Sequence, residues 1–272
     1  MEKLYFNLEI YRRLISIGIR GQMQYRASFF LELFATGSTF FMYFGMLALV
    51  FQRFQSLGGW TLGEIAFLVG MAEAAFGLMD MIFSGFDPNI FSQRVRRGSF
   101  DQLLLRPVNI TTQVLGSKFV LRRLGRTAQG IVIFIIALNL VDVHWTVFKL
   151  LYLPLVIVGL IAFFGGLSIF GSALTFWTIE SMEATNILIS GSNEMISYPM
   201  HIYPSWLRRI FTYIIPAIFL NYYPALYLLD RLDPLGFPYI ARFIAPLIGL
   251  LCLMAALAFW RFGIRHYQST GS

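Results

Sequence analysis

Charge is what this chain has least of. Only 13% of its 272 residues are Asp, Glu, Lys or Arg, against roughly 25% in an ordinary soluble domain. With 57% hydrophobic and 17% aromatic residues, a water-soluble fold could not hide its apolar surface. Cysteine occurs once, at Cys252, which excludes an internal disulfide and a cysteine metal cluster. The three lysines, Lys3, Lys118 and Lys149, follow Glu2, Ser117 and Phe148. A P-loop needs glycine immediately before its lysine to let the backbone cradle phosphate, so the chain has no such nucleotide site. His144, His201 and His266 are too far apart to form a local metal motif, and no G-x-S-x-G nucleophile elbow occurs. A membrane enzyme acting on lipid therefore lacks a catalytic constellation, and the chain reads as non-enzymatic with no cofactor of its own.

What is present is a set of long, unbroken apolar runs: Ala27 to Phe51 (charged only at Glu32), Ile131 to Val141 and Leu150 to Trp177. A helix crosses a bilayer with about 20 apolar residues. Because backbone polar groups must be paired inside the hydrocarbon, only helices or closed barrels span it. The runs do not alternate, so helices are expected. The spacing predicts an all-α integral membrane protein with six transmembrane helices, at about Ala27–Phe51, Thr61–Phe83, Thr127–Val141 (recruiting part of the preceding helix), Leu150–Trp177, Thr185–Tyr203 and Ile240–Trp260. Gly58 and Gly59 would turn the first span back, and Thr178 to Ala184, with Glu180 and Glu183, would make a later turn. Leu4, Leu8, Tyr11, Ile15 and Ile19 share one face of residues 4 to 24, opposite Glu9, Arg13, Ser16, Arg20 and Gln24. Such a helix lies along the membrane interface; extension of the first span is the alternative. Arg12, Arg13, Arg20 and Arg26 leave no short apolar core for a cleaved signal peptide.

The organisation is then an N-terminal amphipathic helix (1–26), a six-helix transmembrane domain (27–266) with a large polar loop at 84–126, and a tail (267–272). Between spans five and six, residues 204–238 carry Pro216, Pro224 and Pro234. Each apolar piece there is too short to cross, and proline breaks helices. A helical hairpin that enters the outer side of the membrane and returns is expected, buried against protein.

The net charge of +7 follows from this topology rather than from nucleic acid. With both termini cytoplasmic, fifteen Lys or Arg fall inside, eight of them in the large loop (Arg94, Arg96, Arg97, Arg106, Lys118, Arg122, Arg123, Arg126). Six fall outside: Arg53, Lys149, Arg208, Arg209, Arg231 and Arg242. That excess is the positive-inside pattern, here of a bacterial inner membrane protein.

Within the large loop, Asp87 and Pro88 are an N-cap and first-turn pair, and Gly98 is a natural stop, so Pro88 to Arg97 is expected to be a short helix with cations at its C-terminal end. Ser99 and Gln102 have capping-box spacing for a second turn before Leu103, Leu104 and Leu105. Two capped helices in one loop suggest a docking element, with a solvated headgroup-binding loop as the alternative. The Asn109–Thr111 sequon lies in this loop and is read as chance.

Residues 93–108 (QRVRRGSFDQLLLRPV) resemble the loop after the second membrane helix in permease subunits of type-2 ABC transporters. Residues 198–209 (YPMHIYPSWLRR), followed by Pro216, are similar to that family's outer re-entrant hairpin. The order of these features persuades more than either motif. The resemblance implies an ATP-driven exporter in which two permeases, identical or related, pair and each docks a cytoplasmic ATPase that binds ATP and Mg. It places the ATPase-coupling contact at Ile90, Phe91, Arg94, Val95, Arg97 and Phe100, braced by the N-terminal helix. Arg96 and Arg97 stand where many members carry acids, so the partner's complementary surface is expected to differ.

Acidic groups inside the spans are the remaining clue. Glu73 and Asp80 are seven residues apart and share a face, beside a small-residue stripe of Ala66, Gly70 and Ala74 that favours close helix packing. Asn186, Ser190 and Asn193 share a face of the fifth span, with Glu194 and His201 seven apart nearby. Charges at that depth usually face a bundle interior or cavity. Glu73, Asp80, Asn193, Glu194 and His201 are thus candidates for a path taken by a hydrophobic or amphipathic, cationic substrate; buried hydrogen-bond pairs or neutral acids are the structural alternative. A self-contained carrier using Glu73, Asp80 and Glu194 as proton sites, and ABC export of a lipid or glycan, are the other functional readings.

Overall fold

The computed structural model describes residues 2–178 and 182–268. Glu180 of the expected turn, residues 269–272 of the tail, and the side chains of Lys3, Arg26, Glu32 and Arg122 lie outside what is described. Among the described residues there are twelve α-helices: α1 Glu2–Met23, α2 Arg26–Arg53, α3 Leu62–Ile82, α4 Pro88–Arg96, α5 Asp101–Leu104, α6 Ile110–Ser117, α7 Leu124–Leu140, α8 Val147–Leu174, α9 Met182–Ile196, α10 Ser205–Arg209, α11 Tyr222–Leu228 and α12 Ala245–His266. Among the described residues there is no strand, and a single antiparallel bridge joins Leu57 to Trp60.

Three of these helices, α3, α8 and α12, are long and apolar enough to cross a membrane, with mean hydropathy of 1.8, 2.4 and 2.1 over their best windows. At 1.5 Å per residue, the 21 residues of α3 match a hydrocarbon core of about 30 Å. A fourth crossing by length and composition would need Ser205–Ile214 and Ala217–Leu228 to act together, but they are bent by 81°.

Glycines set the closest helix approaches. A Cβ at Gly70 of α3 would fall 2.7 Å from the Phe134 backbone of α7, and one at Gly130 of α7 would fall 2.2 Å from the Ala74 nitrogen. The small-residue stripe therefore lies in the α3–α7 contact. Gly63, at the start of α3, meets Leu140 and Val141, while Gly77 meets Thr127; the two helices are antiparallel. α8 and α12 run parallel to one another, because Gly159 meets Ala245 and Gly263 meets Phe176.

Polar caps fix where the helices begin. Thr61 and Glu64 form a capping box on α3, Thr146 caps α8, and Asp87 caps α4 by accepting from the Asn89 and Ile90 nitrogens at 2.9 and 3.2 Å. Gly98, with φ +65°, follows the last turn of α4 in the left-handed conformation expected of a helix stop.

Several boundaries differ from the sequence expectation. α9 ends at Ile196 rather than Tyr203, because Pro199 and Pro204 interrupt the helix and Met200–Ile202 form a 3₁₀ turn. Glu194 and His201 are therefore not neighbours on one helix. α12 starts at Ala245, five residues late, with Pro246 in its first turn, and Arg261, Arg265 and His266 are inside the helix rather than beyond it. The Ser99–Gln102 capping box does not form. Phe100 is the N-cap of α5 without a side-chain cap, and the Ser99 hydroxyl donates to the Arg94 carbonyl at 3.0 Å.

Candidate functional site

The helices end in two dissimilar regions. At one end, α4, α5 and α6 form a platform beneath the C-terminal halves of α8 and α12. Phe86, Phe91, Val95, Phe100, Val114 and Trp260 are buried there as a second apolar core. The ring of Phe91 lies 5.1 Å from Trp260 and 5.4 Å from Phe100, edge to face. The Ser172 hydroxyl of α8 donates to the Phe86 carbonyl at 2.6 Å, and the Trp260 indole N–H of α12 donates to the Thr111 hydroxyl at 3.1 Å. The sequon residues thus have structural work: Asn109 caps α6 at Thr112, and Thr111 anchors Trp260.

This geometry divides the six residues expected at the coupling contact. Phe91, Val95 and Phe100 turn inward and are buried within the chain, so they are core and not a docking surface. Apolar side chains in a nine-residue amphipathic helix bury the face that meets the bundle. Ile90 and Arg94 are half-buried and Arg97 is exposed. Arg94 donates to the Ser117 hydroxyl at 3.0 Å, and burial pulls its guanidinium below the usual arginine range. The outward face instead carries Arg96, Arg97, Leu104, Arg106 and Leu105, the last 86% exposed. α1 packs along α6, with Leu14 and Tyr11 against Gly116. Gln22 fastens it there by donating to the Phe119 carbonyl at 2.5 Å and accepting from the Leu121 nitrogen at 2.9 Å.

Between the ends, Glu73 and Asp80 of α3 are both paired. Arg126 of α7 grips Glu73 of α3 with two hydrogen bonds, 2.6 and 3.0 Å, and Asn193 of α9 donates to the same carboxylate at 2.8 Å. The guanidinium also lies 4.1 Å above the Phe76 ring. Asp80 pairs with Arg123 at 2.8 Å. Of the candidate path residues, the structure therefore brings together Glu73 and Asn193, places Asp80 further along the same helix, and leaves Glu194 exposed. His201 sits elsewhere, in the 3₁₀ turn after α9: its Nε2–H donates to the Gly58 carbonyl at 2.7 Å, so in the neutral ring Nδ1 accepts from the Tyr222 hydroxyl at 3.1 Å.

Arg123 and Arg126 were counted by sequence only as loop cations. Two acids in one span, followed by two arginines where an antiparallel neighbour begins, were the available signal. A pocket of about 260 Å³ opens beside these pairs, lined by Asp80, Asp87, Arg123, Arg126, Asn186 and Ser190 among others.

At the opposite end, ion pairs tie the segment that follows α11 to the bundle. Lys149, only 3% exposed, donates to Asp230 at 2.6 Å and to the Leu228 carbonyl at 3.0 Å. Arg231 meets Glu64 at 2.7 Å. Asn221, fully buried, donates to the carbonyls of Leu68 and Ile196, which joins the start of α11 to both α3 and the end of α9. Among the described residues no group of His, Cys, Asp and Glu is placed to hold a metal ion.

Apolar helices of membrane-spanning length, packed through glycines and carrying paired charges, define a multi-pass membrane protein. The family of ABC-2 family transporter proteins matches residues 37–271, and the chain belongs to it. It is the type of chain that forms the membrane component of an ABC transporter, a family whose members generally lack catalytic activity and work with separate ABC ATPases. Neither a curated protein nor a solved structure matches it.

Proposed function

We propose that this chain is the permease of an ATP-driven exporter, moving a hydrophobic or amphipathic substrate out of the cytoplasm or inner leaflet while a separate ATPase supplies the energy. The observation that carries this reading, within the family, is the α4–α6 platform. It is not a loose loop. Its aromatic core is continuous with α8 and α12, and two hydrogen bonds, one buried and one half-buried, fasten it, so a push on the platform reaches two candidate spans as a nearly rigid motion.

In this reading the coupling surface is Arg96, Arg97, Leu104, Leu105 and Arg106, with Ile90 and Arg94 at its edge. Phe91, Val95 and Phe100 transmit the force without touching the partner. The platform end faces the cytoplasm, and the hairpin end faces outward. α2, with 28 residues, α7 and α9 complete six crossings with α3, α8 and α12, giving alternating directions and cytoplasmic termini. The segment from α10 to α11 enters the outer leaflet and returns. A second permease, identical or related, forms the other half of the path.

Purification from native membranes tests this. The wild-type chain carries an ATP-hydrolysing subunit, and a Leu105→Asp, Arg97→Glu variant loses it while remaining folded. Transport by the chain alone in liposomes, driven by an ion gradient without ATP, would overturn the proposal and favour the ion-coupled carrier.

A further inference from the structure

Arg123, the protein's own cation, pairs with Asp80 in the wall of the pocket, and what that cation occupies indicates what the pocket takes. Asp80 is mostly buried, its side chain 16% exposed, whereas its partner Arg123 is 45% exposed and stands in the short 3₁₀ turn before α7. A buried carboxylate thus faces the pocket and is neutralised by an arginine that can swing into water. Asp87 adds a second carboxylate, only one oxygen of which is used in capping α4. Arg126, the other cation among the described residues of the wall, is not free to compete, because Glu73 grips it from behind with two hydrogen bonds. α9 contributes the neutral polar groups Asn186 and Ser190, and Phe76 and Phe83 supply aromatic surface. Lys118, exposed, acts on Asp80 only across a distance. With Arg123 swung away, the wall holds Asp80 and Asp87 against an Arg126 already neutralised by Glu73.

We propose that the pocket receives the ammonium headgroup of a cationic amphiphile, which displaces Arg123 from Asp80. The exchange replaces one cation by another, so no charge is newly buried without a partner, which is the costly alternative. An ammonium there gains charge-assisted hydrogen bonds to the two carboxylates and contact with the aromatic rings. At about 260 Å³, below the usual roughly 300–1,000 Å³ of a site enclosing a whole drug-sized ligand, the pocket holds a headgroup and leaves an apolar tail among the spans. The inference rests on reading the chain as a permease whose cargo enters from the bilayer, and names that cargo's class.

The self-displacement makes an unusual prediction, because removing a cation from the wall must strengthen binding. The full chain in lipid nanodiscs is titrated by fluorescence anisotropy with a dodecylammonium carrying a dansyl group at its tail, and separately with the corresponding dodecyl phosphate. Arg123→Gln is expected to tighten ammonium binding several-fold, and Asp80→Asn to weaken it roughly tenfold, each variant remaining monodisperse with cooperative unfolding. Should Asp80→Asn fail to fold, Arg123→Gln alone decides the sign. Weaker ammonium binding in Arg123→Gln, tighter binding of the phosphate than of the ammonium by wild type, or equal binding in all variants, which is bilayer partition alone, would overturn the proposal. Binding is measured without the ATPase, so failure here leaves the partnership intact, and failure of the partnership leaves the binding intact.

Discussion

Trp260 of α12 donates its indole N–H to the hydroxyl of Thr111 on α6, 3.1 Å away and 149 residues earlier in the chain. The contact joins the last candidate span to the platform between α3 and α7. Burying a tryptophan supplies a large apolar surface and requires a partner for its N–H, and Phe86, Phe91, Phe100 and Phe176 surround the ring. Trp260→Ala is expected to destabilise the folded chain by about 3–5 kcal/mol, as for other large-to-small core changes. Thr111→Val, which strands only the indole donor, should cost about 1–3 kcal/mol. Unfolding in detergent, followed by tryptophan fluorescence and circular dichroism, measures the order; equal stability of Trp260→Ala and wild type contradicts the assignment of this core.

A second prediction separates core from contact within the platform. Phe91→Asp places a carboxylate in the aromatic core and should abolish folding, since an unpaired buried charge is among the most costly changes. Leu105→Asp changes a side chain that is 86% exposed and should leave the unfolding midpoint within about 0.5 kcal/mol of wild type. Size-exclusion profiles and thermal unfolding of the two variants distinguish them.

The Glu73–Arg126 pair predicts non-additive energetics. Glu73→Gln leaves the guanidinium largely buried without its charge partner, and breaking a buried pair in this way costs about 3–5 kcal/mol. Arg126→Gln should be similarly harmful. The double variant, with Gln beside Gln and Asn193 still able to donate, should recover a substantial part of the loss. A double-mutant cycle by reversible unfolding provides the coupling energy; strict additivity would show that the two side chains do not interact.

At the end away from the platform, the asymmetry of burial predicts which partner matters more. Lys149 is buried, whereas the Asp230 side chain is 52% exposed. Asp230→Asn leaves the ammonium with no counter-charge, only neutral acceptors such as the Leu228 carbonyl and the Tyr227 ring, 5.6 Å away. Lys149→Met keeps the apolar stem and leaves a carboxylate that water can solvate. Asp230→Asn should therefore be the more destabilising change by more than about 1 kcal/mol. The unfolding midpoints of the two variants under identical detergent and salt test the order.

Two of the candidate spans were legible because apolar length is a local property: α3 and α8 begin within about three residues of their expected starts, and both have polar caps visible in the sequence. The first loop helix was equally readable from Asp87, Pro88 and Gly98. What could not be read is which face of that helix is inside. Phe91 and Phe100 resemble exposed docking residues until Trp260 arrives from the far end of the chain. The partners of Glu73 and Asp80 were hidden for the same reason, since pairing depends on the antiparallel register of α3 and α7. Helix ends near Pro199 and Pro246 were misplaced where apolar residues continue past the point at which proline or a 3₁₀ turn stops or delays the helix.

The central claim, that this chain supplies the path and a partner supplies the energy, is tested most directly by ATP hydrolysis in the detergent-purified assembly. The wild-type chain is expected to bring vanadate-sensitive hydrolysis with it. The Leu105→Asp, Arg97→Glu variant should be monodisperse, unchanged in thermal unfolding, and without that hydrolysis. An inert wild-type assembly whose chain nevertheless moves substrate on an ion gradient would contradict the account.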